Sequence, residues 1–174
     1  MELKLLDIKN VLVLGSGTLG LRIGLQSAIS GFNTTIYDIH EAAFSSATKI
    51  QDSILNNLVE RKVITNEEAA AAKSRISFTT DAAKAAADVD FISESVVEDL
   101  GIKKKVWAQF APLCPPHTVF TTNTSYLMPS LFAAETGRPE QFCAFHFHDV
   151  FFANVVDVMP HPTTAQWVVD LLME

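Results

Sequence analysis

Three glycines near the start of the chain have the spacing of a phosphate-binding turn. Gly15, Gly17 and Gly20 follow the apolar run NVLVL and open a segment with helical character. In a strand–turn–helix unit the first glycine permits the tight turn, the second lets the backbone approach a pyrophosphate, and the third lets the helix pack closely on the sheet. Thr18 and Leu19 begin that helix, where backbone N–H groups favour an anion. The motif predicts a dinucleotide site, with a ligand-free turn as the alternative.

An acidic residue at the end of the next apolar run supports this prediction. Asp38 ends the run TTIYD, eighteen residues after Gly20, where a carboxylate can accept hydrogen bonds from the adenosine ribose hydroxyls. Its charge would repel a 2′-phosphate, and Ile39 and His40 supply no arginine to bind one. The sequence therefore favours NAD over NADP. Capping of the following helix is the alternative role of Asp38, and the two roles can coexist.

A histidine in a second aromatic segment is a candidate proton carrier. His146 lies between Phe145 and Phe147, and imidazole, with an unperturbed pKa of about 6.5, suits general acid–base chemistry near neutral pH. Residue type alone favours a histidine packed among aromatic side chains. His148 lies on the same strand face and could form a metal pair with Asp149, but further ligands are missing, so we predict no metal site.

Short apolar runs alternate with longer helix-like segments, and this order is typical of a parallel sheet with helices on both faces. The predicted strands are 11–14, 35–37, 75–78, 89–92, 118–121 and 142–146. The predicted helices are 19–30, 41–61, 66–73, 82–87, 102–110 and 130–135, and another begins in the final run 164–173. We expect one α/β domain over residues 1–174, with a Rossmann-type, doubly wound, mostly parallel sheet.

Two local patterns delimit the second and third predicted helices. Thr65 and Glu68 have the spacing of a capping box, which starts a new helix after the second one ends. The second helix has an apolar stripe near helical spacing, formed by Ile50, Ile54, Leu55, Leu58 and Val63.

Composition limits the partners. The chain has 174 residues, 48% of them hydrophobic, and a formal net charge of −7, so it offers no general basic surface to nucleic acid or anionic lipid. No apolar run approaches the roughly 20 residues that span a bilayer, and the first residues do not resemble a signal peptide. Cys114 and Cys143 are too few for a disulfide framework or a zinc ribbon. We expect a cytoplasmic protein that binds neither nucleic acid nor membrane.

Five segments together carry a family resemblance. They are VLVLGSGTLG, the YD of the second strand, SESVVEDLGIKKKVW, TTNTSYL and RPEQFCAFHF. With them the chain resembles the NAD-binding domain of the 3-hydroxyacyl-CoA dehydrogenases over essentially its whole length. The resemblance implies NAD-dependent oxidation of a 3-hydroxyacyl thioester to the 3-ketoacyl thioester. It also implies a helical domain after the nucleotide domain, absent from this chain, that would carry homodimerisation.

The resemblance implies catalytic roles for three residues. It makes His146 the acid/base that takes or returns the hydroxyl proton, and Ser125 the hydroxyl that hydrogen-bonds the reacting oxygen. It brings Asn123 close to the nicotinamide. Without the resemblance, the N-T-S stretch is equally well explained as a polar turn with local side-chain to backbone hydrogen bonds.

Further positions follow the fourth predicted strand, where Glu94 and Glu98 are expected to face the cofactor. By resemblance, Glu98 approaches the nicotinamide ribose and the active site, and Lys103 approaches the ribose or the CoA entrance. A solvated helix face is the alternative for Lys103.

The chain departs from the family pattern in two places. Asp157 stands for the glutamate that accepts a hydrogen bond from the catalytic histidine, with one residue fewer between the pair. A solvent-facing carboxylate on an edge strand is the alternative. Asp149 and Val150 replace the asparagine and proline of the family's F-F-N-P. By resemblance, that strand end borders the acyl site. The change therefore does not affect the predicted reaction type, but it leaves the identity of the substrate open.

Three functions stay open from the sequence. A short-chain acyl-CoA is the first substrate class, and a free hydroxy acid or a diketo compound, as used by relatives in the superfamily, is the second. A non-catalytic, crystallin-like NAD-binding protein is the third possibility. Such a protein would keep the glycines but need not keep His146 and Ser125, so the presence of both favours an enzyme.

Overall fold

The computed structural model describes residues 2–152 and 155–174 of the chain. Its strands are β1 (Asn10–Leu14), β2 (Asn33–Tyr37), β3 (Ile76–Thr79), β4 (Phe91–Glu94), β5 (Val119–Thr122), β6 (Phe142–Phe147) and β7 (Val156–Met159). They form one sheet in the order β3-β2-β1-β4-β5-β6-β7. All neighbouring strands are parallel except β6 and β7, which are antiparallel. The predicted doubly wound, mostly parallel α/β fold is confirmed.

Helices connect the strands and cover both faces of the sheet. They are α1 (Thr18–Ile29), α2 (Ala42–Glu60), α3 (Asn66–Ser74), α4 (Ala82–Ala86), α5 (Leu100–Phe110) and α6 (Gln166–Met173). Alternate residues of β1 enter opposite layers, because Leu12 and Leu14 pack with α5 and its neighbours while Val11 and Val13 pack with α1 and α6. Burial on both faces explains why the strands are continuously apolar rather than alternating.

The strand order reverses beside β1, since β2 lies on one side of it and β4 on the other. In doubly wound sheets, ligands bind in the crevice at the carboxyl ends of the strands at this reversal. Hydrogen bonds join the end of β1 to the ends of both neighbouring strands, β2 and β4. The Gly15 amide donates to the Tyr37 carbonyl at 2.8 Å, and the Ser95 amide donates to the Leu14 carbonyl at 2.8 Å. The fold thus opens a crevice beside the glycine turn.

The prediction of a helix at 130–135 is wrong. It consists of two short 3₁₀ helices, Pro129–Leu131 and Ala133–Thr136, interrupted at Phe132, whose φ of −141° is not helical. The fully buried side chain of Phe132 packs on Phe142 of β6, so tertiary packing overrides the local helical preference.

Strand β7 was not among the predicted strands. It is a short edge strand whose residues are partly exposed, and a four-residue run with an aspartate inside it carries little strand signal by itself. Its partner β6 supplies the pairing that the local sequence does not specify.

The capping box is confirmed, because the Thr65 side chain accepts a hydrogen bond from the Glu68 amide at 3.1 Å at the start of α3. The apolar stripe of α2 is only partly buried. Leu55 and Leu58 lie in the core, whereas Ile50 is exposed and Val63 lies beyond the helix end at Glu60. Among the described residues, no helix has both the length and the apolar character to cross a bilayer.

Candidate active site

The glycine turn has the backbone geometry that its sequence predicts. Gly15 has φ of +103°, a left-handed conformation that favours glycine. A Cβ on Gly20 would lie 2.1 Å from the Gly15 carbonyl oxygen, so only glycine lets α1 pack this closely on the turn. A Cβ on Gly17 would meet nothing within 4 Å, and Gly17 is the N-cap residue of α1. The open space at Gly17 lies where the α1 N-terminus, with Thr18 and Leu19, would attract a phosphate.

Asp38 lies at the end of β2 and faces this turn. Its Oδ2 accepts hydrogen bonds from the Ser16 amide at 2.8 Å and the Ser16 hydroxyl at 2.7 Å, and its Oδ1 accepts from the His40 amide at 3.0 Å. Partial burial raises the pKa of Asp38, but the hydrogen bonds from Ser16 and His40 outweigh it and lower the pKa below its ordinary value. The N-cap residue of α2 is Glu41, so Asp38 does not cap that helix.

A cavity of about 370 Å³ lies beside the turn. Its lining includes Gly15, Gly17, Tyr37, Asp38, Val97 and Phe110. The lining is mostly apolar, and the Asp38 carboxylate and the glycine backbone contribute polar groups, which suits an adenosine on one side and a diphosphate on the other. A dinucleotide with a free 2′-hydroxyl fits this donor and acceptor set.

Three predicted catalytic residues lie together at the ends of β5, β6 and β7. Ser125 Oγ and His146 Nε2 are 3.2 Å apart, and His146 Nδ1 is 3.3 Å from Asp157 Oδ2. A carboxylate accepts, so the Nδ1–H of His146 donates to Asp157. In the neutral imidazole this leaves Nε2 free to accept from the Ser125 hydroxyl. The contacts form a hydrogen-bonded series from a hydroxyl, through an imidazole, to a carboxylate.

Sheet register explains how the shorter aspartate reaches the histidine. His146 of β6 and Asp157 of β7 are direct antiparallel partners, and directly opposed side chains on one face lie about 4.5–5.5 Å apart at Cβ. That spacing suits an aspartate, and a backbone adjustment is not needed to bring the pair together. The side chain of Asp157 is about half exposed, and β7 is an edge strand, so the carboxylate is both solvent-facing and paired.

Glu98 holds the loop that carries Ser125. Its Oε1 accepts hydrogen bonds from the Thr124 hydroxyl, from the Ser125 amide at 2.9 Å and from the Tyr126 amide at 3.3 Å. Partial burial raises the pKa of Glu98, but the Thr124 hydrogen bond and the Lys103 ammonium together lower it below its ordinary value. The carboxylate is therefore ionised at neutral pH and orders the serine loop next to the histidine.

Lys103 is not at a solvated entrance. Its side chain is 0% exposed, and its Nζ lies 2.8 and 3.1 Å from the two carboxylate oxygens of Glu94 and 3.2 Å from Glu98 Oε2. An ammonium has three N–H donors, and here three carboxylate oxygens surround it. The alternative of a solvated helix face is wrong for Lys103, because the side chains of Lys103 and Glu94 are both buried. That Lys103 approaches the ribose or the CoA entrance, and that Glu94 faces the cofactor, stay predictions.

Asn123 links two strand ends. Its side-chain Oδ1 accepts a hydrogen bond from the Phe147 amide at 2.8 Å, and its backbone N–H donates to the Glu94 carbonyl at 2.7 Å. The side chain therefore fastens β5 to the strand that carries His146. It lies at the carboxyl edge of the sheet, the edge on which the resemblance places the nicotinamide.

The sequence did not predict the partners of His148 and Asp149. His148 Nε2 lies 2.6 Å from Asp157 Oδ2, closer than His146 does. The sequence offers only Asp149 as a partner of His148, in a metal pair that is not predicted. Asp149 instead accepts hydrogen bonds from two following amides and pairs with Arg22 of α1 at 3.5 Å. Strand alternation was the available signal for His148, but its partner required the unpredicted strand β7.

A sequence model described as 3-hydroxyacyl-CoA dehydrogenase, NAD binding domain, matches residues 10–174. The chain belongs to this family. The 3-hydroxyadipyl-CoA dehydrogenase of Escherichia coli K12 is 34% identical over 171 residues, which are 98% of this chain and 36% of that protein. NAD is therefore the cofactor, in agreement with the Asp38 site.

Solved structures agree with this family membership. A diketoreductase superposes with a TM-score of 0.91 at 34% identity, covering 95% of this chain and 59% of that one. The 3-hydroxybutyryl-CoA dehydrogenase of Escherichia coli K12 superposes with a TM-score of 0.88 at 35% identity, covering 95% and 35%. The chain thus spans between about a third and three-fifths of the length of these relatives.

Substitutions in the glycine turn allow effects on stability to be separated from effects on NAD binding. We expect Gly20→Ala to lower the free energy of unfolding by about 1–3 kcal/mol, because its Cβ would overlap a backbone oxygen. Gly17→Ala should leave stability within about 0.5 kcal/mol and weaken NADH binding, because its methyl group enters the space beside the α1 N-terminus. Chemical denaturation and fluorescence titration measure the two effects. Equal stability of the two variants would contradict the packing argument.

Asp38 provides a test of cofactor choice. Asp38→Asn should weaken NADH binding by about tenfold, the scale of one charge-assisted hydrogen bond, and should weaken NADPH binding less, because a charge that repels the 2′-phosphate is removed. The measurement is the ratio of the NADPH and NADH dissociation constants. Asp88→Asn, at an exposed position preceding β4, is the matched control. An unchanged ratio in Asp38→Asn would count against the ribose contact.

The buried Lys103 contacts predict a large stability effect. Lys103→Met should lower the free energy of unfolding by about 3–5 kcal/mol, because Glu94 would be left as a buried charge without its counter-ion. Lys105→Met, on the exposed side of the same helix, should change it by less than about 0.5 kcal/mol. Urea denaturation compares the two variants. Similar stabilities would show that Glu94 is not dependent on Lys103.

Proposed function

We propose that this chain is the NAD-binding domain of an NAD-dependent 3-hydroxyacyl-CoA dehydrogenase, with His146 as its acid/base. The reaction interconverts a 3-hydroxyacyl-CoA and a 3-ketoacyl-CoA, and a short acyl chain is the first substrate class. The observation that carries the proposal is the contact series Ser125–His146–Asp157 beside the nucleotide crevice. Family membership and the names of the relatives support it.

The proposed acid/base chemistry follows from the protonation pattern of the three residues. In the oxidising direction His146 Nε2, unprotonated in the neutral ring, takes the proton of the substrate hydroxyl. Asp157 Oδ2 faces Nδ1 and stabilises the imidazolium that forms. Hydrogen bonds from His148, first, and from His146 lower the pKa of Asp157, so the carboxylate stays charged at neutral pH. In the reducing direction the same nitrogen returns the proton.

Ser125 assists at the reacting oxygen. Its hydroxyl lies 3.2 Å from His146 Nε2, so an oxygen that accepts from Ser125 lies within reach of the same imidazole. A donor fixed in this position stabilises negative charge that develops on the oxygen. Glu98 holds the Ser125 amide, which fixes the donor before substrate arrives.

NAD, when bound, supplies the hydride acceptor or donor for the alcohol carbon. The residues that would hold it are Gly15, Gly17 and Gly20 with Thr18 and Leu19 at the diphosphate, and Asp38 at the adenosine ribose. Asn123 and Glu98 lie at the nicotinamide side of the crevice in this proposal, and Lys103 supports Glu98 from within the fold.

A second substrate class is favoured by one observation. The diketoreductase, which superposes with a TM-score of 0.91 at 34% identity, catalyses reactions of dicarbonyl compounds. The same acid/base arrangement would serve a free diketo acid or ester. Homodimerisation of the whole protein, which the family resemblance implies, is also part of the proposal.

The test measures acetoacetyl-CoA-dependent oxidation of NADH by the whole protein that contains this domain, with a free diketo ester in parallel. His146→Gln should lower turnover by about a hundredfold or more, the contribution of a positioned acid/base, and should leave the NADH dissociation constant unchanged. His117→Gln is the matched control, since that ring also contacts an aspartate, Asp90, but lies away from the site.

The outcomes discriminate among the three functions. Turnover with acetoacetyl-CoA that is lost in His146→Gln supports the acyl-CoA dehydrogenase. Turnover with the diketo ester alone favours the second class. NADH binding without turnover on either substrate would indicate a non-catalytic NAD-binding protein, and undiminished turnover in His146→Gln would contradict the assigned acid/base.

A further inference from the structure

Two imidazoles and one carboxylate converge on the outer part of the sheet. His146 and His148 are two residues apart on β6, so their side chains share a strand face, and their ring centroids are 4.7 Å apart. Asp157 is the direct partner of His146 on β7. One donor atom from each of the three residues lies within 4.8 Å of the others.

We propose that His146, His148 and Asp157 form a binding site for a divalent transition-metal ion, with Zn²⁺ as the best-matched ion. Zinc is bound by imidazole nitrogen and carboxylate oxygen, and three protein ligands with an open fourth position are a common arrangement. Hard ions such as Mg²⁺ prefer oxygen donors throughout and match this donor set poorly.

The distances are close to those that coordination needs. Ligand atoms each about 2 Å from one metal ion lie at most about 4 Å from one another. Asp157 Oδ2 is 2.6 Å from His148 Nε2 and 3.3 Å from His146 Nδ1, so two of the three separations already meet this limit. The ligand atoms of all three residues lie within 4.8 Å of one another, so the third separation exceeds the limit by less than about 1 Å.

The site is both accessible and rigidly supported. The side chains of His148 and Asp157 are 49% and 46% exposed, which lets an ion enter, whereas that of His146 is 15% exposed. The backbones that carry the three ligands are held in register by the β6–β7 ladder. A ladder of this kind presents the ligands with little loss of backbone entropy on binding.

Metal binding and the proposed proton transfer exclude each other, a consequence that rests on the proposed function. An imidazole that coordinates through one nitrogen carries its proton on the other. With metal on Nδ1, the nitrogen facing Asp157, the proton of His146 lies on Nε2, which then has no lone pair for the substrate proton. The metal also takes the carboxylate that stabilises the imidazolium. Zinc would therefore inhibit the oxidation reversibly.

The binding test titrates Zn²⁺ into the chain in competition with a chromophoric zinc chelator. We expect one site per chain, and His148→Asn should weaken zinc binding by about tenfold or more. His117→Asn is the matched control, because it removes a histidine that contacts Asp90 outside the cluster, and it should keep the wild-type affinity. Circular dichroism verifies that both variants are folded.

Nuclear magnetic resonance of ¹⁵N-labelled histidine rings identifies the ligands directly. Zinc should shift the ring signals of His146 and His148 and leave that of His117 in place. Wild-type zinc affinity in His148→Asn overturns the site, as does an equal loss in both histidine variants. Binding through the buried thiols Cys114 or Cys143 would leave both variants unaffected and would also overturn it.

The inhibition has its own readout. At zinc concentrations that saturate the site, NAD reduction coupled to the oxidation of a 3-hydroxyacyl-CoA by the wild-type protein should fall without a change in NAD affinity, and chelator should restore it. In His148→Asn the same zinc concentration should have little effect relative to the zinc-free variant. Full turnover of the zinc-loaded wild type overturns the inhibitory role. Lack of turnover in zinc-free wild type counts against the dehydrogenase, while the titration still decides the metal site.

Discussion

The buried contact of Lys103 with Glu94 and Glu98 is the interaction on which the site depends. Burying an ion costs several kcal/mol unless its hydrogen bonds are satisfied. Here the ammonium has three carboxylate oxygens within 3.2 Å. Glu94 also accepts hydrogen bonds from the Val96 amide and the Thr122 hydroxyl. Through Glu94 and Glu98, the Lys103 ammonium therefore holds together the end of β4, the loop that follows β4 and the end of β5.

This arrangement links the nucleotide side of the crevice to the catalytic side. Val96 and Val97 line the cavity beside the glycine turn, and their loop is fastened through Glu94. On the other side, Glu98 holds the amide of Ser125, which contacts His146. A fixed hydroxyl and a fixed imidazole need little reorganisation during proton transfer, which is the condition for effective electrostatic catalysis.

The edge strand β7 gives the site its other determinant. Its antiparallel register places Asp157 opposite His146, and the same carboxylate contacts His148 more closely. A single oxygen thus serves two rings. This sharing supports an oriented acid/base in the absence of metal and a three-ligand set in its presence, so the proposed activity and the proposed metal site compete for the same atoms.

The sequence by itself determined the six strands of the parallel part of the sheet, the glycine turn, the acidic end of β2 and the start of α3. These features depend on contacts between residues close in the chain: apolar runs, the conformational freedom of Gly15, and the Thr65–Glu68 cap. The NAD preference also followed locally, from Asp38 and the residues after it. Tertiary structure decided the rest. Lys103 on α5 could equally have faced solvent until Glu94 and Glu98 enclosed it, and Phe132 left the helical conformation to pack on Phe142. The contacts of Asp157 with His146 and His148 join residues eleven and nine positions apart on two paired strands. No local pattern specifies them, because register is set by the neighbouring strand.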